Sequence, residues 1–290
     1  MSQNSLFLIR TDSIRVGLLG LLLSLVGNFG AVAQSHPERV LVIASVRPFG
    51  LLAEEIGGSS VDVAVMVPPG ADPHTFEPVP SQILKARRAA VAIVSGSKND
   101  EWILRGVSRE RTLRAVEYGG AESGGLVDGL WTDPVVASGL GKALAQRFCT
   151  VLPSECGGFM QRAEAVSEKL SGLIEGFSGA VAKKSHASAV LSFHPVWTPL
   201  LRRVGLREGG GFEECERGAR TWGAIAAAQR LVAEQGIRVL VVEPWSHPVE
   251  PIAKQLAVTP LTIDSAGVAS STYTDFIGKS LQGIERAIER

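Results

Sequence analysis

The sequence predicts an α/β protein: two lobes with mainly parallel sheets, joined by one long linking helix. Three observations carry this expectation. From residue 39 onward, short Val- and Ile-rich runs alternate with helical patterns, the rhythm of parallel strands with crossover helices. The rhythm breaks at 159–183, where Phe159, Ala163, Val166, Leu170, Leu173, Phe177 and Val181 recur at spacings of three and four. That helix is about 37 Å long at ~1.5 Å per residue, more than one small domain needs, and reads as a strut. The strand–helix rhythm then resumes to the end. The expected organisation is a signal peptide at 1–33, an N-terminal lobe at 34–158, the linking helix at 159–183 and a C-terminal lobe at 184–290. The alternative for 159–183 is a surface helix of a single domain. Gly172, Gly176 and Gly179 weigh on that helix, at ~1 kcal/mol each relative to Ala.

The elements follow in order. Arg10 and Arg15 precede the apolar stretch Val16–Val26, and Ala31-Val32-Ala33 is a small-residue cleavage signature. This reads as a Sec signal peptide; the alternative is an uncleaved membrane anchor, for which the run is too short, since a span takes ~20 residues. Gln34, not cysteine, stands directly after Ala33, so a lipid anchor is not indicated and a soluble periplasmic protein is expected. Residues 39–45 form a buried strand, 48–56 a short helix ended by Gly57-Gly58, and 61–67 a strand stopped by Pro68-Pro69-Gly70. A helix opens at Pro80-Ser81 and runs to Ala90. Residues 91–95 and 112–116 are further strands. In the second half, strands at 188–193, 239–242 and 260–263 alternate with helices at 224–234 and 251–256. A last helix carries Phe276, Ile277, Leu281, Ile284 and Ile288 on one face.

Removal of Arg10, Arg15 and Asp12 with the signal peptide reduces 29 basic and 29 acidic residues to 27 and 28. This balance argues against nucleic acid or a membrane surface as the main partner. Cys149 and Cys156 lie seven apart around Pro153, in a segment that reads as loop. Outside the cytosol this spacing permits a local disulfide. Cys215 is left over, and no C-x-x-C pair is present.

Three polar residues share one kind of position: His74, His194 and Asp264 each lie just past the carboxyl end of an expected strand. In open α/β sheets ligands bind at that rim. If the lobes face one another, all three point into the cleft. Two imidazoles and a carboxylate suit Zn²⁺ and also accept Mn²⁺ or Fe²⁺. Singly, each has a plainer reading: a loop histidine beside proline for His194, a helix cap for Asp264.

The run Pro68-Pro69-Gly70-Ala71-Asp72-Pro73-His74-Thr75-Phe76-Glu77-Pro78 resembles the first metal-ligand motif of the zinc/manganese substrate-binding proteins of bacterial ABC importers. The likeness extends through Ile93-Val94-Ser95-Gly96, Glu101-Trp102, Trp131-Thr132-Asp133-Pro134, Phe193-His194 and Glu243-Pro244 to Ile263-Asp264. It implies two Rossmann-like lobes, a linking helix and a metal held between the lobes. It further implies a monomer that delivers metal to an ABC permease and its ATPase at the inner membrane. Position by position, His74, His194 and Asp264 match ligands, and a histidine at 194 favours zinc. The resemblance also calls for a histidine at 129, where this chain has glycine, which has no donor atom. Asp128 is the nearest substitute, and water the alternative. A histidine restored at 129 is expected to tighten binding if the backbone there tolerates a side chain. Gly119–Gly125 lacks the His- and acid-rich loop of many zinc members. Glu243 reads as a partner orienting a ligand histidine, or else as one half of a structural ion pair. His186 and His247 read as surface residues.

The leading expectation is a receptor that does no chemistry. One rival is an exported metallohydrolase using an open zinc site with Glu243 as general base. No H-E-x-x-H, G-x-S-x-G or P-loop motif supports it. The other is a same-fold receptor for an iron chelate or cobalamin.

Overall fold

A computed structural model describes residues 39–71, 73, 75–119, 129–183, 189–209, 222–246 and 249–289. The expected signal peptide therefore lies outside the described residues, as do His74, Asp128, His186, Cys215 and His247. No helix among the described residues is long and apolar enough to cross a membrane.

Two four-stranded, all-parallel sheets form in succession. The first uses β1 (Val40–Ala44), β2 (Val61–Val65), β3 (Val91–Val94) and β4 (Thr112–Arg114) in the order β2-β1-β3-β4. The second uses β5 (Ala189–Ser192), β6 (Arg207–Gly209), β7 (Val239–Val242) and β8 (Thr259–Thr262) in the order β6-β5-β7-β8. The two orders are the same topology used twice. In each, strand order reverses at the first strand, which places a crevice between it and the third strand. β1, β3, β5 and β7 bury nearly every residue, as strands covered on both faces must. β8 is exposed along most of its length and accepts Pro260 because it is an edge.

The helices are α1 (Arg47–Gly57), α2 (Pro80–Arg87), α3 (Pro134–Val151), α4 (Cys156–Ala182), α5 (Thr198–Arg203), α6 (Trp222–Gln235), α7 (Glu250–Leu256) and α8 (Tyr273–Ile288). α4 is 27 residues long and lies in the chain between the two sheets. Phe159, Ala163, Val166, Leu170, Phe177 and Val181 are buried on its inner face, and Leu173 is half-buried. The glycines counted against it meet no neighbouring atom that a Cβ would strike, so they lie on the outer face and cost only local propensity. One apolar core takes in residues of both sheets together with α1, α3, α4 and α8. α8 packs against α1 and α4 and also against β5 and β7, which ties the second sheet to the first lobe's helices.

Several sequence expectations need correction. The strand before the proline turn ends at Val65, and Met66 and Val67 already belong to the loop, although their amides still bond to Ala44 and Ser45. The segment around Cys149 is no loop. α3 is an 18-residue helix, capped by the Asp133 carboxylate on the amides of Val135 and Val136 and opened by Pro134. Cys149 sits in its last turn and Cys156 is the first residue of α4. The two form a disulfide with Cα atoms 4.5 Å apart that staples the α3–α4 corner. α5 and β6 also went unread, being too short to show a period.

Candidate metal centre

The register of the second sheet builds the centre. Ser192 of β5 pairs with Val241 of β7. Two residues further along each strand stand His194 and Glu243, on either side of the point where strand order reverses. His194 Nδ1 lies 2.6 Å from Glu243 Oε2, with both residues buried. The Ser246 hydroxyl donates to the same carboxylate oxygen at 2.8 Å and lies 3.3 Å from Nδ1. Phe193 packs edge-on against the imidazole at 4.9 Å between ring centres. An imidazole held this way has one tautomer and one orientation. Glu243 Oε1 is buried and has no hydrogen-bond partner among the described residues.

Asp264 follows β8 in the same way, two residues past Thr262, which pairs with Val242. Its carboxylate closes its own loop, Oδ1 accepting from the Ala266 amide at 3.0 Å and Oδ2 from the Ala269 amide at 2.9 Å. The plainer reading of Asp264 as a helix cap does not hold, since no helix follows it directly; its carboxylate closes a loop instead. Three rim loops meet at a cavity of about 20 Å³. Pro68 and Pro73 come from the first lobe, Trp245 from the loop after Glu243, and Ser265 and Ala266 from the loop after Asp264. Such a space holds about one water-sized occupant. Among the described residues no three His, Cys, Asp or Glu side chains are placed to hold a metal ion, and His194 is the only histidine.

A further carboxylate lies behind His194. Glu208 of β6 bonds to the Ser192 hydroxyl on the neighbouring strand. Burial pushes its carboxyl up to about 8, and the Glu243 charge pushes in the same direction. In the first lobe, burial likewise raises Asp100, against the lowering effect of bonds from the Ser95 and Gly96 amides.

Gly129 answers the question its sequence position raised. Its φ is +78°, and a Cβ there would sit 2.4 Å from the Val196 carbonyl oxygen. No side chain fits, so a restored histidine would strike the second lobe's backbone. The turn instead bonds across the lobes. The Thr132 hydroxyl lies 3.0 Å from the Val196 carbonyl, the Trp131 indole N–H donates to Ser265 O at 3.0 Å, and Tyr273 OH donates to Trp131 O at 2.9 Å. Next to it, Arg203 of α5 forks onto the Asp133 carboxylate, with N–O distances of 3.1 to 3.2 Å. Sequence reasoning had no role for Ser246, Trp131, Thr132 or Arg203. The Asp133-Pro134 pair was a readable helix start, but the partners lie far apart in the chain.

A doubly repeated parallel fold with an oriented histidine at the rim between its halves defines a two-lobed ligand receptor. Residues 42–287 match the family described as "Zinc-uptake complex component A periplasmic". The chain belongs to that family, whose members are metal-binding substrate-binding proteins of ABC transporters. It is similar to a "Putative metal-binding protein" of Thermotoga maritima, at 23% identity over 95% of this chain and 99% of that one. It is also similar to "Manganese-binding lipoprotein MntA" of Halalkalibacterium halodurans, at 24% identity over 87% of this chain and 85% of that one. The crystal structure of ZnuA shares the fold, with a TM-score of 0.72 at 17% identity, covering 86% of this chain and 99% of that one.

Proposed function

We propose that the protein is a periplasmic receptor that captures one divalent transition-metal ion, zinc in preference to manganese or iron. It hands the ion to an ABC permease with its ATPase, works as a monomer and catalyses no reaction. The proposed ligands are His74, His194 and Asp264, with a fourth position for Asp128 or water. The observation that carries this reading is the His194–Glu243 pair. With Nδ1 committed to Glu243, this ring would ligate through Nε2, and a carboxylate behind a ligand histidine raises its basicity toward a cation. The family supports metal uptake, and the named manganese-binding relative keeps the choice of metal a matter for measurement.

The same pair weakens the hydrolase alternative. A general base has to reach the proton it takes. Glu243 is 2% exposed, and its Oε2 is already shared by His194 and Ser246.

The test is a competition. Metal-free mature protein is offered equimolar Zn²⁺, Mn²⁺ and Fe²⁺ under anaerobic conditions, desalted and analysed for elements. Retention of about one zinc per chain is expected. Preferential retention of manganese or iron would overturn the zinc assignment, and retention of none would overturn the receptor reading.

A further inference from the structure

We propose that Trp131 is a positioning residue for the metal site, holding the Asp264 loop in place from the opposite lobe. The inference rests on the reading of Asp264 as a ligand.

The loop 264–269 is organised within its own lobe. Both Asp264 carboxylate oxygens accept amides of that loop, and Lys279 of α8 donates to the Ala269 carbonyl at 2.7 Å. These bonds fix the loop's shape and its far end. They do not set where Asp264 stands relative to the first lobe. That placement comes from Gly267 packing beside Leu51 and Pro48 of α1 and, next to Asp264 itself, from the hydrogen bond of Trp131. Its indole N–H reaches the carbonyl of Ser265, the residue next to Asp264, and the bond is buried. Trp131 is itself held at its backbone by the buried Tyr273 hydroxyl. It precedes α3, which packs on α1 of the first lobe. The Gly129 turn lets Trp131 come this close, because its missing Cβ allows the chain to lie on Val196. A ligand set drawn from two lobes tolerates little error, since metal–ligand distances hold to within about 0.2 Å. Removing one buried donor leaves the Ser265 carbonyl unpaired and the loop free to shift against the first lobe.

The experiment is a double-mutant cycle on zinc affinity, measured by chelator competition on the mature protein. It compares the parent, Trp131→Phe, Asp264→Asn and the double variant. Trp131→Phe keeps an aromatic ring and removes the N–H. Asp264→Asn should weaken zinc roughly 100-fold. Trp131→Phe should weaken it roughly tenfold in the parent and less than about twofold in the Asp264→Asn background, the coupling expected of residues acting as a unit. The visible spectrum of the Co²⁺-loaded protein should shift in Trp131→Phe, a signature that a loss of stability alone does not produce. Tyr273→Phe, which frees the Trp131 carbonyl without touching the core ring, carries the same cycle should Trp131→Phe fail to fold. If Asp264→Asn weakens zinc but the effect of Trp131→Phe is nil, or equal in both backgrounds, the inference is overturned and the ligand reading stands. If Asp264→Asn leaves affinity unchanged, the ligand reading itself falls.

Discussion

His194 and Glu243 are joined at 2.6 Å because each stands two residues past a paired position on adjacent strands, Ser192 and Val241. The parallel register and the reversal of strand order bring them together at the rim. In the proposed site, a cation approaching the imidazole from its other side would meet a ring already oriented by Glu243. Glu243→Gln keeps the shape and removes the charge. Zinc affinity should fall about 10- to 100-fold, the range for losing an outer-shell partner, while the circular dichroism spectrum stays that of the parent. Isothermal titration checks it.

Gly129 should resist substitution. A left-handed backbone costs a non-glycine residue about 1–2 kcal/mol, and here a Cβ also strikes the Val196 carbonyl. Gly129→Ala and Gly129→His should both lower stability by at least ~2 kcal/mol in urea denaturation. Gly129→His should not tighten zinc. A histidine variant of parental stability with higher affinity would contradict this geometry.

The Asp133–Arg203 fork is a partly buried ion pair between the lobes, with the two side chains 3% and 15% exposed. Removing Arg203 leaves the carboxylate uncompensated, so Arg203→Ala should cost about 3–5 kcal/mol. Asp133→Ala loses the fork and the α3 cap together, the cap alone being worth ~1 kcal/mol. Chemical denaturation of both variants reads these costs.

Glu208 gives a pH dependence of definite sign. Its folded-state pKa is raised from 4.5 to about 8. Between those values the native state holds a proton that the unfolded state has lost, so stability declines as pH rises from about 4.5 to about 8 and levels above that. The shift corresponds to a contribution on the order of 5 kcal/mol across the window. Glu208→Gln should flatten the decline and raise the melting temperature most at pH 8.

Much of this architecture could be read in the sequence, because buried parallel strands are apolar throughout and the inner face of α4 keeps its period from Phe159 to Val181. The rim positions of His194 and Asp264 followed from where those strands had to stop. What stayed hidden was set by pairing across distance. Nothing local to Trp131 points to Ser265, 134 residues away, nor does Asp133 announce Arg203, 70 residues on. α3 was legible too, since Val136, Ala137, Leu140, Leu144, Ala145 and Phe148 keep a helical period on its buried face, but the cysteine–proline segment at its end masked it. The backbone reason for Gly129 lies in a carbonyl of the other lobe.

In the proposed centre, His74, His194 and Asp264 hold one metal ion between the lobes. Calorimetric titration of the metal-free mature protein with Zn²⁺, beside His74→Ala and His194→Ala, tests it most directly. One site per chain in the parent and strong weakening in each variant are expected. Zinc affinity unchanged in both variants would contradict it.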